Sequence, residues 1–149
     1  SGLLVLSLST RAHKHLQKQF INKEISKRYI AEVEGIVKSD SGTITLPLIT
    51  DHLDRPRQKV CYQSGKQAKT EWSVISKSEH KTRLYLYPIT GRTHQLRVHC
   101  AHADGLNMPI VGDSLYGTPN SRLRLHAQRL SFIHPISKET LIFEVDPDF

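Results

Sequence analysis

The sequence predicts an α+β fold: a mixed, mostly antiparallel sheet with a few short helices. Two observations carry that reading. Segments with the two-residue period of strands alternate with segments of helical period, and the strand-like ones are the more numerous. No internal repeat and no linker divides the 149 residues, so residues 1–149 read as one domain. A chain of that length buries roughly 70% of its unfolded surface.

Ser1 to Ser7 opens directly into a strand-like apolar segment, without a methionine, so the left edge reads as a cut. Ser9 or Thr10 can cap a helix over residues 11–22, with Ala12, Leu16 and Phe20 on one face. Lys27 to Gly35 alternates, with Tyr29, Ala31 and Val33 on one side. Gly42 to Leu48 gives another alternating strand, stopped by Pro47. Ala68–Ser76 and Thr82–Ile89 flank a polar turn as an antiparallel pair. His94 to Ala103 is helical, with Leu96, Cys100 and Ala103 on one stripe and Gly105 able to end it. Two last strands, Leu123–Phe132 and Thr140–Val145, are separated by His134-Pro135.

The charge balance points to a class of partner. Lys and Arg number 21 against 14 Asp and Glu, a net charge of +7, which favours polyanions and nucleic acid first. Cys61 and Cys100 are too few for a disulfide framework and match no zinc pattern, so they read as residues of a reducing compartment. The longest apolar run, Leu3-Leu4-Val5-Leu6, is far too short to span a membrane. The expectation is a cytoplasmic protein without a membrane partner, metal or organic cofactor.

Three clusters are candidates for function. In Gly91-Arg92-Thr93-His94-Gln95-Leu96-Arg97-Val98-His99, two arginines, two histidines and a glutamine enter a helix with little to bury. Arg92 and Arg97 are five apart and do not share a helical face, so they can address different groups, one a phosphate and one a carboxylate. Arg55-Pro56-Arg57-Gln58-Lys59, with Tyr62, Lys66 and Lys69, suits a phosphate backbone and equally suits a charged hairpin loop. Lys27-Arg28-Tyr29 places a tyrosine on the inward side of a strand, which by itself favours a core role. Asp51, Asp54, Asp104 and Asp113 lack the setting of a paired-carboxylate or metal site, and Asp113 reads as a structural turn residue.

Taken together, these pieces resemble the RluA-type pseudouridine synthases. The landmarks are Ser1-Gly2-Leu3-Leu4-Val5, Lys27-Arg28-Tyr29-Ile30-Ala31 with Gly35, and Gly65-Lys66-Gln67-Ala68-Lys69-Thr70. The nonapeptide follows, then Gly112-Asp113-Ser114-Leu115-Tyr116-Gly117, Leu125-His126-Ala127 and His134-Pro135, in the family's order along the whole chain. Arg55-Pro56-Arg57-Gln58-Lys59-Val60-Cys61-Tyr62 resembles the RluA branch in particular, which modifies 23S ribosomal RNA and the anticodon stem-loop of certain transfer RNAs.

The resemblance implies isomerisation of uridine in structured RNA, on a flipped base and without a cofactor. An aspartate helps to break the glycosidic bond, and the uracil turns and rejoins the ribose through carbon 5. By position Tyr29 becomes the active-site aromatic, against the core reading, and Arg97 the arginine that pairs with the catalytic aspartate. Arg92, His94 and Gln95 shape the pocket or meet phosphate, and Lys27, Arg28, Arg55, Arg57, Lys59 and Lys66 contact RNA. The aspartate itself belongs to a His-Arg-Leu-Asp-x-x-Thr-Ser-Gly motif whose last two residues match Ser1-Gly2, which places it upstream of residue 1. His52-Leu53-Asp54-Arg55 mimics that motif but follows the tyrosine strand, so Asp54 is rejected as the catalytic acid. The chain is therefore expected to be the C-terminal portion of a catalytic domain, inactive alone, with an uncovered edge or face that invites self-association. The rival reading is a non-catalytic RNA-binding domain; an enzyme acting on a free nucleotide explains the spread of basic residues poorly.

Overall fold

A computed structural model describes residues Ser1–Phe149. In chain order the elements are α1 (Thr10–Ile21), β1 (Ser26–Glu34), β2 (Ser41–Thr45), β3 (Leu48–Thr50), β4 (Gln58–Val60) and β5 (Lys69–Lys77). They continue with β6 (Lys81–Pro88), α2 (Gln95–Ala101), β7 (Leu125–Ile133) and β8 (Thr140–Glu144). Two compact units are present, one of residues 1–29 with 126–149 and one of residues 30–125.

In the smaller unit, α1 starts where Ser9 Oγ accepts the Ala12 N–H at 3.2 Å, a side-chain cap for an otherwise unsatisfied donor. Its inward face carries Leu16, which packs with Ile25 and Phe132, flanked by Val5, Leu130 and Leu141. Gln19, 1% exposed, works as a polar hook: its Nε2 donates to the Ile133 carbonyl at 2.7 Å and its Oε1 accepts the Ile133 N–H at 2.8 Å. Those two bonds fix α1 on β7, and β7 pairs antiparallel with β8. The opening residues are not the strand their apolar run predicts. Only Gly2 bridges, in parallel, to Ala127, and Leu4, Leu6 and Leu8 remain 80%, 74% and 99% exposed. At Gly2, φ is +101° and a Cβ would lie 2.3 Å from the Ala127 carbonyl oxygen, so the contact requires glycine.

In the larger unit the strands run β2-β5-β6-β1. β2–β5 and β5–β6 are antiparallel, and a bulge between Val74 and Ser76 shifts the second register. Val33, Leu84, Leu86 and Ile110 are fully buried, the centre of this unit's core. Beside the sheet stands a two-stranded hairpin, β3–β4, pairing Leu48 with Val60 and Thr50 with Gln58. The fold is thus mixed and mostly antiparallel with short helices, as expected. The expected Gly42–Leu48 strand divides, however, because the backbone breaks at Pro47 and Leu48 starts the hairpin. The basic stretch supplies β4, so its charged-hairpin reading describes its backbone.

α2 is shorter than expected, ending at Ala101. It packs Val98 against Leu48 and Ala68, with Val60 and Tyr116 alongside. The segment from Pro109 to Arg124 runs beside the second half of β1 through Glu34 N to Pro109 O, Val111 N to Glu32 O and Glu32 N to Arg124 O. That segment carries Asp113 and Tyr116.

Candidate active site

Arg97 is the centre of the charged cluster. Its Nε donates to Asp113 Oδ2 at 2.9 Å and an Nη to Asp113 Oδ1 at 2.6 Å, the bidentate geometry a planar guanidinium favours. Asp113 is fully buried, while 17% of the Arg97 side chain stays exposed. Burial alone would raise the Asp113 carboxyl, but the Arg97 guanidinium and the N–H groups of Leu115 and Tyr116 outweigh it and hold it below its ordinary range. Arg97 is held correspondingly more firmly charged by Asp113. The arginine's carboxylate partner within this chain is therefore Asp113, the residue read above as a turn former. It is both: Oδ1 accepts the Leu115 and Tyr116 N–H groups of the turn as well as one guanidinium N–H, and Oδ2 accepts the other.

Tyr116 ties the cluster together. The Arg97 Cζ lies 5.3 Å from its ring centroid, close enough for cation–π attraction. Its hydroxyl accepts the Gln58 N–H at 2.8 Å and lies 2.7 Å from His94 Nδ1. The hydroxyl keeps one proton and a second lone pair for the His94 contact, so the tautomer of the ring decides which group donates. Burial and the nearby Arg97 charge push the His94 pKa down, which favours the neutral ring. His94 sits at φ +53°, a left-handed backbone that turns the chain from Gly91-Arg92-Thr93 into α2.

Gln95 sets this turn rather than facing a ligand. It is 3% exposed; its Nε2 donates to Lys69 O and Thr70 Oγ1, and its Oε1 accepts the Arg92 N–H at 3.0 Å and the Thr90 hydroxyl. The expectation that Gln95 meets phosphate is corrected, since both ends of its amide are used inside the fold. His99 is likewise internal, with Nε2 3.0 Å from Leu46 O and Nδ1 2.9 Å from Thr70 Oγ1. A carbonyl accepts only, so Nε2 carries the proton, and burial lowers the pKa of the ring.

A cavity of about 320 Å³ adjoins the cluster through Gln58 and Thr93. Leu48 and Ile49 form an apolar part of its wall; Thr50, Ser64, Lys66 and Arg92 add polar and cationic groups. Arg92 Nε donates to Gln67 O at 2.9 Å, which fixes the side chain beside that cavity. Lys66 and Arg92 are thus brought together. Arg57 anchors the hairpin, its Nε donating to Leu115 O at 2.8 Å and an Nη pairing with Asp54. Arg55 is exposed beside His52, and Lys59, half-exposed, lies 3.6 Å from Asp51.

Lys27, Arg28 and Tyr29 belong to the smaller unit. Lys27 Nζ lies 5.8 Å from the Phe20 ring centroid, and Arg28 Nε donates to Gln128 Oε1 at 2.8 Å with Glu144 at 3.6 Å. Both basic groups are thus engaged within their own unit. Tyr29 is half-buried, and desolvation raises its hydroxyl pKa, so it holds its proton at neutral pH. The residues missed in the sequence are Asp113 and Tyr116. Their signal was Gly112-Asp113 followed by Leu115-Tyr116-Gly117, but the acid has no charged neighbour in sequence to show its partner. No grouping of three or more His, Cys, Asp or Glu is placed to hold a metal, and no helix is long and apolar enough to cross a membrane.

An α+β scaffold that fixes an arginine against a buried acid, beside a cavity with two more cations, defines a class of protein that handles anionic ligands. Comparison with known proteins narrows the class. The sequence model described as RNA pseudouridylate synthase matches residues 1–102. A dual-specificity RNA pseudouridine synthase RluA of Yersinia pestis is 45% identical over 155 aligned positions, covering 100% of this chain and 74% of the relative. The protein of the same name from Escherichia coli K12 is 42% identical, covering 100% of this chain and 69% of the relative. Among solved structures, human RNA Pseudouridylate Synthase Domain Containing 1 superposes with a TM-score of 0.81 at 26% identity, over 95% of this chain and 62% of that one. Human RNA Pseudouridylate Synthase Domain Containing 4 shares the fold, with a TM-score of 0.75 at 23% identity, over 94% of this chain and 65% of that one. The chain belongs to the RNA pseudouridylate synthase family.

Proposed function

We propose that these residues form part of the catalytic domain of an enzyme that isomerises uridine to pseudouridine in structured RNA, with ribosomal and transfer RNA stem-loops as its substrates. The observation that carries the reading is the Arg97–Asp113–Tyr116 cluster with the Lys66–Arg92 cavity beside it. In the reaction the bond from the ribose C1′ to N1 breaks, the uracil turns, C1′ bonds to C5, C5 gives up its proton and N1 takes one up from water. A carboxylate at the sugar must stay ionised for this, and a cation held in fixed geometry keeps it so.

Asp113 uses two of the five Arg97 donors, so the guanidinium is aimed before any RNA arrives. The remaining donors can meet the nucleophilic aspartate of the His-Arg-Leu-Asp motif. In the smaller unit Tyr29, protonated and half-buried, is by the family resemblance the candidate aromatic for the loose base. Lys66 and Arg92 take phosphates that flank the target. His94 stays neutral, adding a ring without adding charge.

The test uses a stem-loop RNA carrying tritium at uridine C5, since that hydrogen leaves as the product forms. In protein that includes the His-Arg-Leu-Asp-x-x-Thr stretch ahead of Ser1, Arg97→Ala should cut tritium release by about 100-fold or more while most RNA affinity remains. Residues 1–149 alone should bind the RNA and release no tritium. Unchanged release with Arg97→Ala would remove Arg97 from the catalytic machinery, whereas RNA binding by the parent with no tritium release would establish the plain RNA-binding reading instead.

A further inference from the structure

The β3–β4 hairpin carries a feature that the Arg97 cluster does not use. Between Thr50 and Gln58 the loop is braced by its own backbone: Asp51 N donates to Arg57 O at 2.9 Å, Asp54 N to Asp51 O at 3.2 Å and Arg57 N to Asp54 O at 3.0 Å. The Leu53 N–H turns in to Asp51 Oδ1 at 3.3 Å, and Arg57 pairs with Asp54 across the loop. The base is anchored as well, through Arg57 Nε to Leu115 O and Gln58 N to the Tyr116 hydroxyl. On this braced projection the Leu53 side chain is 97% exposed. Its neighbours His52 and Arg55 face each other at 3.0 Å.

A single exposed leucine is ordinary on a protein surface. Leu53 differs in its setting. Several hydrogen bonds hold its backbone in one shape, its own fold uses almost none of its apolar surface, and beside it the carboxylates of Asp51 and Asp54 are paired with Lys59 and Arg57 while Arg55 stands exposed without a carboxylate partner. An apolar tip beside an exposed guanidinium suits a nucleic acid, whose phosphate meets Arg55 while the tip enters between bases. RNA loops offer bases that splay apart at little cost, unlike a regular duplex. An acidic protein surface would satisfy Arg55 but gives a lone leucine little to fill.

We infer that Leu53 is a wedge: it inserts into a base step of the RNA stem-loop and holds that step open while the hairpin base stays fixed on Tyr116. This rests on the RNA reading proposed above and deepens it by assigning a positioning residue outside the Arg97 cluster. The wedge makes no phosphate contact, so its contribution is independent of salt, unlike that of Arg55.

The experiment is 2-aminopurine fluorescence in a short stem-loop, with the probe moved through each loop position and the closing step, titrated with residues 1–149. Stacked 2-aminopurine is quenched, so one position should brighten severalfold on binding. Leu53→Ala should abolish that rise, Leu53→Met should restore it, and the salt dependence of binding should be the same for all three. An identical brightening profile for Leu53→Ala overturns the wedge while leaving RNA binding intact, and would assign the tip to another class of partner. Absence of any RNA binding by the wild-type chain would sink the RNA reading and the wedge with it.

Discussion

Asp113 is wholly buried and Arg97 keeps part of its side chain in water, so the two halves of this pair are not equivalent. Removing Arg97 strands a carboxylate where water cannot reach it; removing Asp113 leaves a guanidinium that water can partly solvate. Breaking a buried pair from one side costs about 3–5 kcal/mol. We expect Arg97→Met to reach the upper part of that range in urea unfolding, Asp113→Asn the lower part, and the double variant less than their sum. Full additivity would show that the pair is not coupled.

The same contacts set two acid limits. Asp113 has a folded pKa below its ordinary 3.8, so the stability it contributes is complete above that value and is lost as pH falls through the folded pKa. His99 is a buried neutral ring with a pKa depressed below 6.5; the unfolded chain takes up its proton first, so stability falls as pH drops below 6.5. Urea midpoints should therefore decline in two stages on acidification. His99→Asn should flatten the upper stage while lowering the plateau, and a midpoint independent of pH between about 7 and 5 would contradict the neutral imidazole.

Among the elements, the Pro109–Arg124 segment decides where the charged cluster stands. Gly112 takes φ +78°, and a Cβ there would sit 1.9 Å from the Arg122 carbonyl oxygen, so the backbone must shift for any other residue. The displaced residue would be Asp113. Gly112→Ala should cost at least about 2 kcal/mol and reduce turnover with little effect on the far end of β5, readable by hydrogen exchange of the Ser73 and Val74 amides. The regular elements were legible because their periods were: β1, β5, β6 and α1 fall within a residue or two of expectation. Leu3–Leu6 misled because an apolar run announces burial, not pairing, and only Gly2 finds a ladder partner. β4 was hidden because three residues with two polar side chains carry no period, and their pairing comes from across the hairpin. In the site, Arg97 was legible as a polar residue at a helix start. Its partner sixteen residues on was not, since nothing local ties a turn aspartate to a helix on another element.

For the molecule as a whole, a net charge of +7 predicts affinity for RNA but not where that affinity resides. The structure separates the cations into two groups. Arg28 is committed to Gln128 and Glu144, and Arg83 and Arg124 both bind Glu32, whose carboxyl they hold below its ordinary range against the effect of burial. Lys66 and Arg92 line an open cavity, and Arg55 stands on an exposed loop. Only cations of the second kind release counterions when RNA binds, so the salt dependence should count them rather than the net charge. Each phosphate neutralised steepens the plot of log K against log salt by roughly 0.7 for single strands and 0.9 for duplex. Lys66→Gln and Arg92→Gln should each flatten the slope by about that amount and weaken binding to all stem-loops alike. Arg28→Gln, which removes the same formal charge, should leave the slope where it was. Anisotropy titrations of one labelled stem-loop at four or five salt concentrations, about 50–200 mM, distinguish these outcomes. Equal flattening by all three variants would mean that RNA senses the overall charge of the chain, and that the cavity beside Arg97 has no special claim on phosphate.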